Sequence, residues 1–170
     1  LHVNLSAAEL RDPHLIAGVQ ALLQETGVAA DSLTLEITET ELLDDASAGA
    51  ARLGELRALG IRVALDDFGT GYSSLSYLHS LPIDSLKIAK PFVDGLEREG
   101  RNASFIGVIV ELARKLGLDV IAEGIETPGQ LTALRDLEVE LGQGFLVGRP
   151  AAAGTGRFRR QMPADRGQTL

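Results

Sequence analysis

Ile61–Ser74 reads IRVALDDFGTGYSS, an apolar segment running into two adjacent carboxylates and then a glycine-rich stretch. Read as a strand it alternates, with Val63 and Leu65 on one face and Ala64 and Asp66 on the other. Asp66 therefore points where the large apolar side chains do not. Asp67 falls where strand gives way to loop, and a kink there would bring both carboxylates onto one site. Two acids held that close repel unless a cation lies between them. An Asp-Gly turn closing a hairpin is the competing reading, and Phe68 argues against it by separating the acids from Gly69.

Outward from this segment the chain alternates strand and helix. Leu1–Leu5 reads as a short strand, and Asp12-Pro13 as the cap and first residue of a helix carrying Leu15, Val19, Leu22 and Leu23 and stopping at Gly27. Leu33, Leu35 and Ile37 alternate as a second strand. A helix with Leu53, Leu56 and Leu59 ends at Gly60, and Ile61–Leu65 is the third strand. Ser73–Leu81 predicts a short helix closed by Pro82, followed by a fourth strand at Leu86–Ile88. Ile106, Ile109, Leu112, Ala113 and Leu116 stripe a longer helix, after which Val120–Ala122 is the fifth strand. Thr127-Pro128-Gly129-Gln130 has capping-box spacing and opens a helix through Leu131, Leu134 and Leu137. Phe145–Val147 is expected as the sixth strand.

This rhythm means parallel strands with right-handed crossovers, in an open doubly wound sheet or a barrel. The polar residues choose between them. A sheet buried on both faces has nearly continuous apolar strands, whereas here each strand ends on a polar residue: Asn4, Glu36, Asp66, Lys87, Glu123 and Gln143. A ring of such groups at carboxyl ends is what a (β/α)8 barrel presents to its substrate. The fold class read from the sequence is thus α/β, a modified TIM-type barrel of which about six strands are visible. Two strands are expected before Leu1. Residues 151–170 carry no helical stripe and read as a loose tail.

Composition narrows the function classes. The 170 residues suffice for one domain, and a hydrophobic fraction of 45% excludes a disordered chain. With no cysteine there is neither a disulfide nor a thiolate zinc site. A net charge of -8 argues against binding a nucleic acid polymer, because that affinity comes mainly from Lys and Arg. Clustered acids do bind Mg²⁺ or Mn²⁺, which in turn attract phosphates. No apolar run approaches the length of a membrane span.

Taken singly, each strand-end residue has a mundane reading. Asn4 with Ser6 fits a turn or cap, and Glu36 and Glu39 in LEITE fit a solvated strand end. Glu36 is nonetheless in phase with Thr34 and Thr38, opposite Leu35 and Ile37, which favours a polar interior. Lys87 suits a structural ion pair or a role in holding a water or developing charge. Glu123 and Glu126 flank Gly124-Ile125, where acids also favour a helix start. Gln143 fits a loop amide. Tyr72 reads equally as core or as a stacking surface, and His2, His14 and His79 show no ligand spacing.

The ordered motifs VNLS (Val3–Ser6), LEITE (Leu35–Glu39), DDFGTGYSS (Asp66–Ser74), LKI (Leu86–Ile88), AEGIE (Ala122–Glu126) and QGFLVGRP (Gln143–Pro150) resemble the EAL domain, the bacterial cyclic di-GMP phosphodiesterase. The resemblance covers residues 1–150 and corresponds to the later strands of that family's barrel. It implies a two-metal hydrolysis of cyclic di-GMP to linear pGpG with Mg²⁺ or Mn²⁺. It implies Asn4 and Glu36 as ligands of the first ion, Asp66 as the bridge, and Asp67 and Glu123 as ligands of the second. Lys87 would position the nucleophilic water, and Glu123 is also a candidate general base. Glu39 would anchor the loop Phe68-Gly69-Thr70-Gly71, Glu126 and Gln143 would support substrate or loop, and Arg149 would contact phosphate. The resemblance further implies a cytoplasmic site of action, a homodimer formed through this domain, and upstream sensor or diguanylate cyclase-like domains in a longer parent.

Two departures from the family pattern stand out. The Glu-Ala-Leu signature, whose glutamate is a first-ion ligand, is expected upstream of VNLS and is not in this sequence. Ala89 stands where the family usually has Asp after Lys-Ile, which either lowers activity or is a tolerated variant. The leading expectation is the carboxyl-terminal portion of an active phosphodiesterase, with residues 1–170 alone poorly stable and weakly active. The alternative is a degenerate domain serving as a cyclic di-GMP receptor or interaction module.

Overall fold

A computed structural model of the chain describes residues 1–43, 46–71, 75–96 and 100–149. In order along the chain these form β1 (His2–Asn4), α1 (Ala7–Leu10), α2 (Leu15–Thr26), β2 (Thr34–Thr38), α3 (Glu39–Leu43), α4 (Ala46–Ala58), β3 (Arg62–Phe68), α5 (Leu75–Ser80), β4 (Ser85–Ile88), α6 (Lys90–Asp94), α7 (Gly100–Leu116), β5 (Asp119–Ala122), α8 (Pro128–Asp136) and β6 (Leu141–Gly142). The six strands form one parallel sheet in sequential order, β1 to β6. Sequential parallel order with a helical crossover at each step is the winding of a (β/α) barrel, here incomplete, with six strands among the described residues.

Strand alternation sets the two faces. Leu35 and Ile37, Val63 and Leu65, and Leu86 and Ile88 are buried in one core with Leu53, Leu56, Ile106, Ile109, Ala113 and Leu134 from the crossover helices. Each such Val, Leu or Ile side chain contributes about 1.5–3 kcal/mol of transfer free energy, most of it offset by chain entropy. The opposite faces carry Glu36, Ala64, Asp66 and Lys87, so apolar packing against the helices aims the polar set inward.

Local signals explain the helix starts. Ser6 caps α1 and Thr127 caps α8, each in a reciprocal capping box with Glu9 or Gln130. Thr38 does the same for α3: Glu41 N–H donates to Thr38 Oγ1 at 3.4 Å while Glu41 Oε2 accepts from Thr38 N at 3.3 Å.

Three sequence expectations are corrected. The sixth strand is Leu141–Gly142, paired with Ile121 and Ala122, and Phe145–Val147 is a turn. The turn follows because Gly144 presses on Ile125, where a Cβ would lie 2.2 Å from the backbone nitrogen, and its carbonyl accepts from Val147 N–H and Gly148 N–H. The helix expected from Asp12-Pro13 begins at Leu15 instead, because Asp12 Oδ1 accepts from His14 N–H at 2.8 Å and turns the chain first. Glu39, read as a strand end, is the first residue of α3. Tyr72, the first two residues of the helix expected from Ser73, and the 151–170 tail lie outside the described residues.

Candidate functional site

Between β3 and β4 the register runs Leu65↔Leu86 and then Phe68↔Ile88, so β3 advances three residues while β4 advances two. The extra residue is a bulge at Asp66–Asp67. Asp67 takes φ +53, a left-handed conformation that aspartate tolerates better than most side chains, and its N–H donates to Asp66 Oδ1 at 2.9 Å. The bulge cancels the alternation that would send adjacent side chains to opposite faces. As a result one oxygen each from Asp66, Asp67 and Glu123 lie within 4.8 Å of one another. Glu123 reaches the group from the end of β5.

Below this cluster sits Lys87, 2% exposed. Its Nζ lies 2.7 Å from Glu36 Oε2, 2.5 Å from Glu123 Oε1 and 3.2 Å from Asp66 Oδ1. Burial alone would lower the lysine pKa, but the bonds and charges of Glu123 and Glu36 outweigh it and hold the ammonium well above its ordinary range. Burial likewise pushes Glu36 up, yet hydrogen bonds from His2 and Lys87 prevail and its carboxyl titrates below the usual range. For Glu123 burial prevails, reinforced by the charges of Asp66 and Glu36, and the pKa rises despite Lys87. One ammonium among these carboxylates leaves the centre net negative.

Supporting contacts hold this arrangement in place. Gln143 Nε2 donates to Glu123 Oε1 at 2.6 Å, which steers that carboxylate from the end of β6. Gly69 N–H donates to Glu39 Oε2 at 3.1 Å, and Thr70 Oγ1 donates to Asp67 O at 2.8 Å. Glu39 is buried beneath the loop, Gly71 packs on its carboxylate, and Phe68 is buried in the core.

The remaining expected residues are placed differently. Asn4 is on β1 in register with Glu36, on the rim of the ring. Glu126 does not join the ring, because its Oε1 accepts from Lys90 Nζ at 2.8 Å while its backbone N–H donates to Gln130 Oε1. Arg149 stacks its guanidinium over the Phe145 ring at 5.0 Å. Sequence reasoning missed His2, whose Nδ1 lies 2.6 Å from Glu36 Oε1. The signal was its spacing of two from Asn4 on a strand, which puts both on one face.

Fold and ring together define an α/β barrel-type domain with an acidic centre at the carboxyl ends of its strands. Residues 1–150 match the EAL domain family, and the chain belongs to it. It is 43% identical over 148 residues to the cyclic di-GMP phosphodiesterase NbdA of Pseudomonas aeruginosa, covering 87% of this chain and 19% of that protein. It resembles the solved structure of the MucR phosphodiesterase of the same organism in complex with c-di-GMP, with a TM-score of 0.85, 41% identity, and coverage of 89% of this chain and 62% of that one. A manganese and c-di-GMP complex of Klebsiella pneumoniae BlrP1 superposes with a TM-score of 0.83 at 32% identity, covering 89% of this chain and 39% of that one. The chain spans about a fifth of the length of the curated relatives, 19% of NbdA and 22% of MucR.

Proposed function

We propose that this domain carries out metal-dependent hydrolysis of cyclic di-GMP to linear pGpG in bacterial second-messenger signalling, in the cytoplasm. The observation that carries the reading is the buried Lys87 ammonium held among Glu36, Asp66 and Glu123, with Asp67 brought to the same centre by the bulge. An all-oxygen, net negative donor set suits Mg²⁺ or Mn²⁺. Asn4 and Glu36 would hold one ion, Asp67 and Glu123 the other, and Asp66 would bridge them. When bound, the two ions supply Lewis-acid polarisation of the phosphoryl group and a water acidic enough to react near neutral pH.

The chain's own residues then have defined tasks. Lys87, fully protonated, donates to the attacking water and offsets charge growing on the phosphoryl oxygens. Glu123, held by Gln143 and Lys87, would serve either as a ligand or as the acceptor of the water's proton. The water oxygen bonds to phosphorus as the bond from phosphorus to the 3′-oxygen breaks, and that oxygen leaves as a hydroxyl. Glu39 would anchor the start of the loop that follows Asp67, through its bond from Gly69 N–H. Arg149 would meet a phosphate. Pairing of two copies through this domain, and attachment to sensor or cyclase-like domains, belong to the same reading.

A receptor without turnover is the second reading, and Ala89 favours it. This residue is fully buried at the start of α6 and offers no side-chain cap. Incubation of the protein with cyclic di-GMP and Mg²⁺ or Mn²⁺, with products separated by chromatography, distinguishes the two. Formation of pGpG that Asp66→Ala abolishes supports the enzyme, and binding with no product decides for the receptor.

A further inference from the structure

His2 makes a contact that the proposed chemistry does not use. It stands on β1 opposite Thr34, two residues before the Asn4–Glu36 pair, so its ring lies diagonal to Glu36 on the inner face. Nδ1 to Glu36 Oε1 is 2.6 Å, and the other oxygen of the same carboxylate takes Lys87 at 2.7 Å. A carboxylate ion can only accept, so the ring nitrogen facing it is the donor. Glu36 is buried and therefore clamped from both sides.

We propose that His2 is a positioning residue for Glu36, fixing the rotation of that carboxylate so that its remaining lone pairs face the cation shared with Asn4; this rests on the two-ion reading above. The separation is too short for His2 and Glu36 to flank one ion side by side, since ligands at about 2.0–2.2 Å from a metal and roughly at right angles stand about 3 Å apart. His2 therefore acts through Glu36 and not on the metal. Hydrogen-bonded partners of this kind set ligand orientation, and their loss lowers metal affinity by about 10–100-fold.

Mn²⁺ titration followed by the electron paramagnetic resonance of the free ion provides the test, with kcat and KM for cyclic di-GMP at saturating Mn²⁺ alongside. His2→Ala is expected to weaken one class of Mn²⁺ site by about tenfold or more while KM is unchanged, and His2→Gln, which keeps an N–H donor, to recover most of the loss. In a Glu36→Gln background, His2→Ala should cost nothing further. Unaltered Mn²⁺ affinity in His2→Ala overturns the inference, as does an equal cost in the two backgrounds or a His2→Gln as weak as His2→Ala. A wild-type protein that binds no Mn²⁺ removes the two-ion reading and this inference together, whereas normal wild-type binding with an indifferent His2→Ala removes the inference alone.

Discussion

Gly71 rests directly on Glu39: a Cβ at position 71 would sit 2.7 Å from Glu39 Oε1, while Oε2 of that carboxylate accepts from Gly69 N–H at 3.1 Å. The glycine-rich loop after β3 is thus moulded onto a buried acid at the start of α3. Its closeness and the position of Asp67 are one property.

Gly71→Ala should therefore reach the centre without touching it. Overpacking against a carboxylate fixed by the loop is expected to cost about 1–3 kcal/mol, and turnover should fall as Asp67 shifts. Urea denaturation and steady-state hydrolysis measure the two effects, and a variant with wild-type values for both would show that the loop yields.

Lys87→Met removes the one ammonium and leaves buried carboxylates unpaired. Breaking a buried ion pair in this way costs about 3–5 kcal/mol. In chelator the variant should unfold at much lower urea concentration than the wild type, and Mn²⁺ should restore part of the difference while hydrolysis stays absent. Equal urea midpoints in chelator would contradict the ion-pair account.

The ionised form of Glu36 is favoured by folding, since its carboxyl titrates below its usual range. Its contribution is complete above the unfolded value of about 4.3 and disappears as pH falls through the lower folded value. Thermal unfolding in chelator should show Glu36→Gln less stable than wild type at pH 6, with the gap closing below about pH 4. Glu123 has the opposite sign, because burial raises it: the protonated form is favoured, and its contribution is lost as pH rises through the folded value. In chelator, Glu123→Gln should therefore gain on wild type as pH rises from 4 to 7, and parallel profiles for the two variants would refute these assignments.

Divalent ions should stabilise the folded chain by linkage, by about 2.7 kcal/mol at a hundredfold excess over Kd. The melting temperature should rise with Mn²⁺ and fall on adding chelator, and Asp66→Asn should flatten the response. A melting temperature indifferent to Mn²⁺ in the wild type would remove the cation from the site.

Residues with one dominant local cause were legible from the sequence. Alternation put Glu36, Asp66 and Lys87 opposite the core, and the structure brings them together with Glu123. Capping boxes located α8 correctly, and the same rule applied to Thr38 and Glu41 would have found α3. The rest depended on tertiary causes. β6 falls at Leu141–Gly142 because Gly144 must lie against Ile125, a contact between segments far apart in the chain. Glu126 is expected from the resemblance to support substrate or loop, and in the structure Lys90 of α6 bonds its carboxylate. His2 shares a face with Asn4 by its spacing of two, but its contact with Glu36 also needs the register of β1 against β2.

The bulge at Asp66–Asp67 makes the acidic pair a matter of parity. Side chains on a pleated strand are counted odd or even, and the supernumerary residue between Leu65 and Phe68 changes the count once, at the place where two acids must agree. Deleting either aspartate would restore the even count and leave a single carboxylate from this strand at the centre. Replacing a side chain would leave the count intact. Chain length is therefore held as tightly in this short stretch as the identity of its two acids.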